Sequence, residues 1–288
     1  FSKINELKTH QSDWSDSVSK IYDHYHFRRE WTAEVYQECI KADIEFSTSP
    51  YDFEAVEAVD KYVNFFKIGS GDISWIDFIS YVSKKNKPVL IATGAADIED
   101  VKRAVSMVDS NKLVLMQCNT NYTIEAEKHK YVNLRVLEDY RNIFPRAILG
   151  LSDHTLGHGS VLGAIPLGAR VFEKHFTDDN SREGPDHKFA LNPKKWKEMV
   201  DMSNEVFETL GDGVKKIEEN EKNAFIVQRR SIVAKRHLEV GSEIKEEDLD
   251  YLRPCPNGSF HPYEKEKLIG KKLKVVKEKN ESFLRTDI

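Results

Sequence analysis

Cysteine is scarce in this sequence, and long hydrophobic stretches are missing from it. The chain has three cysteines in 288 residues, Cys39, Cys118 and Cys255, and no two of them have the C-x-x-C spacing. This scarcity argues against a disulfide framework and favours reduced thiols in a cytosolic protein. No apolar run reaches the roughly 18 residues that a membrane-spanning helix requires, and no signal-peptide pattern is visible. We therefore expect a cytoplasmic protein without membrane contact.

An excess of basic charge is also missing. The 43 Lys and Arg residues are balanced by 48 Asp and Glu residues, which leaves a formal net charge of -5. Proteins that bind nucleic acid generally carry a basic stripe or patch, so we expect no nucleic-acid partner. Hydrophobic residues make up 40% and charged residues 32% of the chain, which is typical of a globular protein with room for one large domain and a small one.

Short apolar runs alternate with amphipathic segments along most of the chain. The runs are apolar at consecutive positions, a pattern typical of strands that are buried on both faces of a parallel sheet. Six such runs occur, at residues 44–50, 64–72, 87–95, 112–120, 147–155 and 169–177. The segments between and after them show helical spacing, and we expect two of these helices to begin after the N-cap residues Asp97, with Asp100 three positions later, and Asn192.

Each run ends in polar residues, and the runs recur at intervals typical of one architecture. The polar residues that mark the ends are Ser49, Ser70, Thr93, Asn119, Ser152 and His175. They recur at intervals of roughly 21 to 33 residues, and a (β/α)8 TIM barrel uses about 31 residues for each βα unit. A TIM-barrel enzyme also has its active site at the carboxyl ends of its strands, where these polar residues lie. A doubly wound open sheet is the alternative, but it would concentrate ligand groups at one switch point. Since a barrel has eight strands, we expect its first two βα units to be absent from this sequence.

The last part of the chain has a different character. Gly211-Asp212-Gly213 and a charged run precede short β-rich pieces that are separated by turn signals such as Pro256-Asn257-Gly258. We therefore expect a barrel domain over residues 1–215, a linker over 216–223 and a small β-rich domain over 224–288.

Two histidines lie at the carboxyl ends of neighbouring predicted strands. His154 and His175 would reach one mouth of the barrel, where two imidazoles, with water and substrate oxygens, make an open site for a divalent ion such as Mn²⁺. The alternative is that one or both rings only bond neighbouring strand ends. His158 is a weaker candidate, and Asp153 is expected to orient neighbouring groups rather than to bind an ion.

A set of groups that could hold an anion lies at the same predicted rim. Lys67 falls inside an apolar run, so it needs an anionic partner, either a phosphate or an internal carboxylate of Asp72 or Glu173. The hydroxyls expected beside it belong to Ser70, Thr93 and Ser152. A polar loop follows the last strand, at residues 178–187, where Asp186 could accept hydrogen bonds from sugar hydroxyls while Arg182 and His187 supply counter-charge; a solvated loop is the alternative.

The motifs "FKIGSGD", "ATG", "GLSDHT", "EKHFTDDNSREGPDH" and "LRPCPNGSF", in this order, resemble the sialic acid synthase family from about residue 42 to the end. The resemblance implies a (β/α)8 barrel joined to an antifreeze-like (SAF) domain, which is swapped across a homodimer. It also implies condensation of phosphoenolpyruvate with an open-chain N-acetylated amino sugar, which releases phosphate and gives a nine-carbon 2-keto acid. A divalent metal, Mn²⁺ or Mg²⁺, is expected to assist.

The same resemblance assigns roles to individual residues. It makes His154 and His175 the metal ligands and Asp72, where many members have Glu, a candidate general acid or base. The implied phosphoenolpyruvate and phosphate contacts are Lys67, Ser70, Ser152, Thr48, Ser49 and Thr93. The implied sugar contacts are Asp186, Tyr122, Thr120, Asn121 and, from the partner chain, Arg253.

Two departures from the family pattern indicate a divergent branch. Ala92 stands where the family often has Ser, and "QCNTNYT" replaces "HCTxxYP", so the sugar need not be N-acetylmannosamine. Two other functions stay open, another phosphoenolpyruvate-aldose condensing synthase and a non-catalytic sugar-binding protein. The antifreeze-like tail argues against the first, and the paired histidines with Lys67 argue against the second.

Overall fold

The computed structural model describes residues 18–121, 126–184 and 186–288. The chain divides into two compact units, Phe1–Gly211 and Asp212–Ile288. Over the described ranges, no helix has the length and apolar character that crossing a membrane would need.

Five parallel strands form the sheet of the first unit. They are β1 (Phe66–Ile68), β2 (Val89–Ala92), β3 (Leu113–Cys118), β4 (Ile148–Asp153) and β5 (Ala169–Lys174). Their order in the sheet is the order in the sequence, and every neighbouring pair is parallel. A doubly wound sheet would reverse this order at one point, so the TIM-barrel-type arrangement is confirmed and the carboxyl ends of all five strands share one rim.

Helices precede, connect and follow these strands. They are α1 (Val18–Tyr25), α2 (Thr32–Lys41), α3 (Phe53–Val59), α4 (Ile76–Ser83), α5 (Ile98–Val105), α6 (Val136–Ile143), α7 (Gly159–Ala164) and α8 (Pro193–Thr209). All six residues of β3 are buried, as the consecutive apolar pattern predicts. Strand and helix side chains meet in one apolar core that includes the fully buried Phe78, Ile91, Leu115, Leu137 and Leu151.

The predicted helix starts are both present. The Asp97 carboxylate accepts hydrogen bonds from the backbone N–H groups of Glu99 and Asp100, both at 2.9 Å, while the Asp100 carboxylate accepts from the Asp97 N–H at 3.2 Å. Asn192 Oδ1 accepts from the Lys195 N–H at 3.0 Å at the start of α8. These reciprocal and single caps satisfy backbone donors that the first turn of a helix leaves without partners.

The prediction of a strand at residues 44–50 is wrong. This segment has no assigned secondary structure, although Phe46 is buried. Ser47 uses its hydroxyl to donate to the Phe65 carbonyl at 3.3 Å, just before β1 begins. Three hydroxyl side chains and Pro50 explain the difference, because hydroxyls compete for backbone partners and proline has no N–H to give to a ladder.

The second unit is small and β-rich, as the sequence predicts. Strand β6 (Ser231–Ala234) pairs antiparallel with β7 (Leu249–Leu252), and single bridges such as Val233 to Ser282 extend the pairing. Its core contains Ile232, Leu238, Ile244, Leu268 and Phe283. Helix α9 (Lys222–Gln228) begins within the segment that the sequence assigns to a linker.

Candidate active site

The carboxyl ends of β4 and β5 bring the two histidines together. Ser152 is the parallel partner of Glu173, and Asp153 is the partner of Lys174, so His154 and His175 follow at the same level. The ring centroids of the two histidines are 5.2 Å apart, with an interplanar angle of 57°. A cavity of about 190 Å³ is lined by Ser152, Asp153, His154, Glu173, Lys174 and His175.

The hydrogen bonds of His154 determine which of its nitrogens carries the lone pair. Its Nδ1 lies 3.0 Å from the carbonyl oxygen of Asn119, at the end of the neighbouring strand β3. A carbonyl oxygen only accepts, so Nδ1 carries the proton and the neutral ring has its lone pair on Nε2. A backbone carbonyl on the second ring nitrogen is the usual arrangement around a histidine that binds a metal.

His175 is held in a more open environment. Its Nδ1 lies 3.3 Å from Asp186 Oδ2, and its ring packs against Phe189 with centroids 4.9 Å apart. Asp186, which the resemblance assigns to the sugar, therefore also contacts one member of the histidine pair. Among the described residues, no group of three or more His, Cys, Asp or Glu side chains could hold a metal ion by itself.

Lys67 is buried on β1 and pairs with a carboxylate on β5. Its Nζ lies 3.2 Å from Glu173 Oε2, so Glu173 rather than Asp72 is the carboxylate within ion-pair distance. Burial raises the pKa of Glu173, but the charge of Lys67 and hydrogen bonds from Ser152 and Lys67 outweigh it, and the net shift is downward. For Asp72, burial raises the pKa more than the charge of Lys67 lowers it. The two carboxyls near Lys67 are therefore shifted in opposite directions.

Ser70 lies at the end of β1 and links it to β2. Its Oγ accepts a hydrogen bond from the Gly94 N–H at 3.0 Å. A side chain at Gly94 would force its neighbours to shift, because an added Cβ would lie 2.3 Å from Thr120 Cγ2 and 2.9 Å from Ser70 Oγ. The thiol of Cys118 is also here, and burial raises its pKa, while hydrogen bonds with Ser70 and Ser152 oppose the shift. Three strand ends thus approach one another closely.

Thr93 is placed differently from the sequence expectation. Its buried hydroxyl donates to the Met116 carbonyl at 3.0 Å and accepts from the Tyr140 hydroxyl at 2.9 Å. The proton that a phosphate contact would need is therefore already used within the protein.

The remaining candidates are spread more widely. Thr48 and Ser49 are half-buried in the irregular segment before α3. After β3, Thr120 is half-buried and Asn121 is exposed. Asn121 donates its N–H to Asn119 Oδ1. Tyr122 lies outside the described residues. Arg253 is exposed in the second unit.

Three further side chains that the sequence singles out, Arg182, His187 and His158, do not join the histidine pair. In the loop after β5, Arg182 pairs with Asp178 at 2.8 Å, and His187 Nδ1 lies 2.7 Å from the Thr177 hydroxyl. At the start of α7, His158 has a buried Nδ1 without a hydrogen-bond partner in the described residues.

Glu173 is more central to the site than the sequence predicts. From the sequence it is one of two possible carboxylate partners of Lys67, whereas in the structure it pairs with Lys67 and lines the cavity beside the histidines. The signal was present, because side chains alternate along a strand and Glu173 stands two positions before His175.

Comparison with known proteins finds a family model for each of the two units. The model of the NeuB family matches residues 2–215, and the SAF domain model matches residues 229–288. An uncharacterized protein of Methanocaldococcus jannaschii is 34% identical over 252 residues, which cover 85% of this chain and 74% of that protein. The N,N'-diacetyllegionaminic acid synthase of Campylobacter jejuni is 32% identical over 230 residues, 78% of this chain and 68% of that enzyme.

A solved structure is similar over both units. The spore coat polysaccharide biosynthesis protein SpsE of Bacillus subtilis superimposes with a TM-score of 0.61 at 26% identity, covering 97% of this chain and 83% of that one. A family model that matches most of the chain and relatives above 30% identity lead to one assignment. The chain belongs to the NeuB family, and its carboxyl-terminal residues form a SAF domain.

Proposed function

We propose that the protein condenses phosphoenolpyruvate with an N-acetylated amino sugar to a nine-carbon 2-keto acid of the sialic acid type and releases phosphate. The observation that carries this proposal is the sharing of one cavity by two pairs of residues. His154 and His175 line this cavity together with Glu173, and Glu173 pairs with Lys67. The first suits an oxygen-rich sugar on a metal ion, and the second suits an anionic substrate. The name of the Campylobacter jejuni relative supports the same class of product.

The residues around Lys67 suit the two anionic groups of phosphoenolpyruvate. Lys67 supplies a buried positive charge, which a phosphate or carboxylate could share with Glu173. Ser70 accepts from the Gly94 N–H and lies within hydrogen-bond reach of the Cys118 thiol. Sulfur is a weak acceptor, so a phosphate oxygen would take the proton of the Ser70 hydroxyl in its place. Ser152, beside Glu173, is the second hydroxyl of this subsite.

His154 and His175 would hold a divalent ion, Mn²⁺ or Mg²⁺. Metal–nitrogen bonds of about 2 Å place two imidazoles that share an ion with their centroids roughly 5 Å apart, which the observed pair fits. When bound, the ion would polarise the sugar aldehyde and help to orient the substrates. Water and substrate oxygens would complete the coordination.

The reaction needs one proton donor and one proton acceptor. C3 of phosphoenolpyruvate forms the new bond to the aldehyde carbon, a water oxygen adds to C2, and the bond between C2 and the phosphate oxygen breaks. The aldehyde oxygen gains a proton as it becomes a hydroxyl, and the water loses its two protons as C2 becomes the ketone. One of the two protons balances the new hydroxyl, and the other leaves with the released phosphate. Asp72 suits the exchange of one of these protons, because burial raises its pKa toward the working range of a general acid or base.

The second unit would contribute through a domain-swapped homodimer. We expect Arg253 to reach the sugar bound by the partner chain, in the cytoplasm, where the three free thiols would stay reduced. Mixing an Arg253→Ala chain with a His154→Ala chain tests this arrangement, because a swapped dimer would then contain one site with both defects and one with neither. Recovered activity supports the swap, and no recovery in a proven heterodimer contradicts it.

The function itself is tested by phosphate release. The full chain is incubated with Mn²⁺, phosphoenolpyruvate and a panel of N-acetylated hexoses, with and without a 6-phosphate, and a product with a new carbon–carbon bond is identified by ¹³C NMR. We expect stoichiometric phosphate and product with at least one sugar. Release only with erythrose 4-phosphate or arabinose 5-phosphate would indicate the other class of synthase. Sugar binding without any release by the folded protein would indicate a non-catalytic protein.

A further inference from the structure

A buried ion pair lies directly beside the two histidines in the sequence and in space. Lys174 Nζ is 2.7 Å from Asp153 Oδ2, and the two side chains expose only 2% and 1% of their surface. Asp153 is the last residue of β4 and Lys174 the last residue of β5, and the two are partners in the strand register. Each member of the pair therefore immediately precedes one of the two histidines.

Further hydrogen bonds tie this pair to the chain that leaves β4. Lys174 Nζ also donates to the Thr155 carbonyl at 2.8 Å. Thr155 in turn donates its N–H to Asp153 Oδ1 at 2.9 Å and its hydroxyl to Asp153 Oδ2 at 3.1 Å. The Thr155 hydroxyl lies 3.1 Å from Ser160 Oγ in α7. His154 is thus flanked on both sides by residues whose polar groups are fixed.

Stability alone does not account for two buried charges at this point. The desolvation of both ions offsets much of their attraction, and apolar residues of the same volume usually hold a fold as well or better. The strands already have a ladder of backbone hydrogen bonds and the apolar Leu149 and Leu151 to pair them. The ion pair instead fixes the distance and the register between the two strand ends that carry the histidines.

We infer that Asp153 and Lys174 are positioning residues, which set the His154 ring beside the His175 ring. This inference rests on the proposed function, because it concerns the same pair of metal ligands. The sequence predicts an orienting role for Asp153 only. The structure adds Lys174, which forms the ion pair with Asp153.

The test compares Asp153→Asn, Lys174→Met and the two substitutions together in the full chain. The single variants leave one buried charge without its partner and are expected to lose stability. The double variant carries no buried charge, its amide oxygen can still accept from the Thr155 N–H, and the methionine fills the space of the lysine stem. We expect it to recover the unfolding temperature of the unchanged chain.

Two readouts then separate positioning from stability. The ¹⁵N spectrum of the histidine side chains without metal, assigned with His154→Ala and His175→Ala, reports the tautomer of His154. Calorimetry reports the Kd for Mn²⁺. In the double variant we expect His154 to lose its fixed Nδ1–H tautomer and the Kd to rise by about 10- to 100-fold, the usual effect of losing a residue that orients a ligand.

A matched control is available in the second unit. Lys277 and Asp287 form another buried pair, at 2.7 Å with 3% and 6% exposure. Lys277→Met with Asp287→Asn should leave the His154 spectrum and the Mn²⁺ affinity unchanged. A stable Asp153→Asn, Lys174→Met chain with an unaltered His154 spectrum and Kd would overturn the inference. If the unchanged chain binds no Mn²⁺, the metal part of the proposed function fails, while the His154 spectrum still decides the positioning role.

Discussion

The carboxylate of Glu173, on the last strand of the sheet, lies 3.2 Å from the ammonium of Lys67, on the first. The pair joins β1 and β5, although three strands lie between them in the sheet order. The sheet is therefore curved, so that side chains of its two outer strands meet. The Lys67 side chain is 11% exposed and that of Glu173 is 45% exposed. An entering anion would therefore find a buried cation whose counter-charge is accessible and can turn toward water.

Loss of the Lys67 charge should remove anion binding. We expect Lys67→Met to lower kcat/KM for phosphoenolpyruvate by about 100-fold, equivalent to roughly 2.7 kcal/mol, because the variant loses the buried positive charge that would pair with the anionic substrate. Adding Glu173→Gln should restore stability without restoring activity. Lys87→Met is the control, since Lys87 pairs with Asp60 just before β2, at the amino end of the sheet. Equal losses from Lys67→Met and Lys87→Met would contradict the assignment.

The two histidines near the end of β4 should respond differently to removal. His154→Ala deletes a ring whose Nδ1 bonds the Asn119 carbonyl, and we expect turnover with Mn²⁺ to fall by at least about 100-fold and Mn²⁺ affinity to fall with it. His158→Ala should keep most of both, because His158 immediately precedes α7 and is not among the residues that line the cavity. Steady-state kinetics and calorimetry on both variants check this, and similar losses in the two would show that the ligand is wrongly assigned.

Local signals in the sequence predicted local structure well. The cap at Asp97 depends on residues within one helical turn, so the sequence contains everything that the interaction needs. The strand predicted at residues 44–50 fails for a complementary reason. The spacing of apolar residues does not show whether an extended segment finds backbone hydrogen-bond partners. Here the Ser47 hydroxyl donates to the Phe65 carbonyl instead.

The polar network of the rim was harder to predict, because it depends on which strands become neighbours. The contact between Lys67 and Glu173 spans the whole sheet, and the contact between Asp153 and Lys174 depends on the register of two strands. Thr93 shows the same limit. Its position at a strand end suggested a phosphate contact, but Tyr140 from a distant helix binds its hydroxyl.

The second unit should lose stability in acid through Glu264. The Glu264 carboxylate accepts hydrogen bonds from the Lys267 side chain, from the His261 N–H and from Arg285. These bonds lower the pKa of Glu264 from 4.5 to about 2. Because the pKa in the folded state is the lower one, this stabilisation is complete above about pH 4.5 and disappears as the pH falls toward 2. Calorimetric unfolding of Glu264→Gln should therefore show its largest deficit at neutral pH and a vanishing one near pH 2. Glu266→Gln, at a side chain that is 77% exposed, should show no such trend.

Gly94 provides the sharpest test of how closely the strand ends approach. A methyl group at this position would lie 2.3 Å from Thr120 Cγ2, 2.9 Å from Ser70 Oγ and 3.1 Å from Cys118 Sγ. We expect Gly94→Ala to cost about 1–3 kcal/mol of unfolding free energy, the usual penalty for overpacking, and to raise the KM for phosphoenolpyruvate by displacing Ser70. Gly159→Ala is the matched control, because a Cβ there meets nothing within 4 Å and Ala favours the helix that it begins. Denaturant unfolding and kinetics measure both effects. A Gly94→Ala chain with the stability and the KM of the Gly159→Ala chain would mean that the strand ends lie farther apart than this geometry requires.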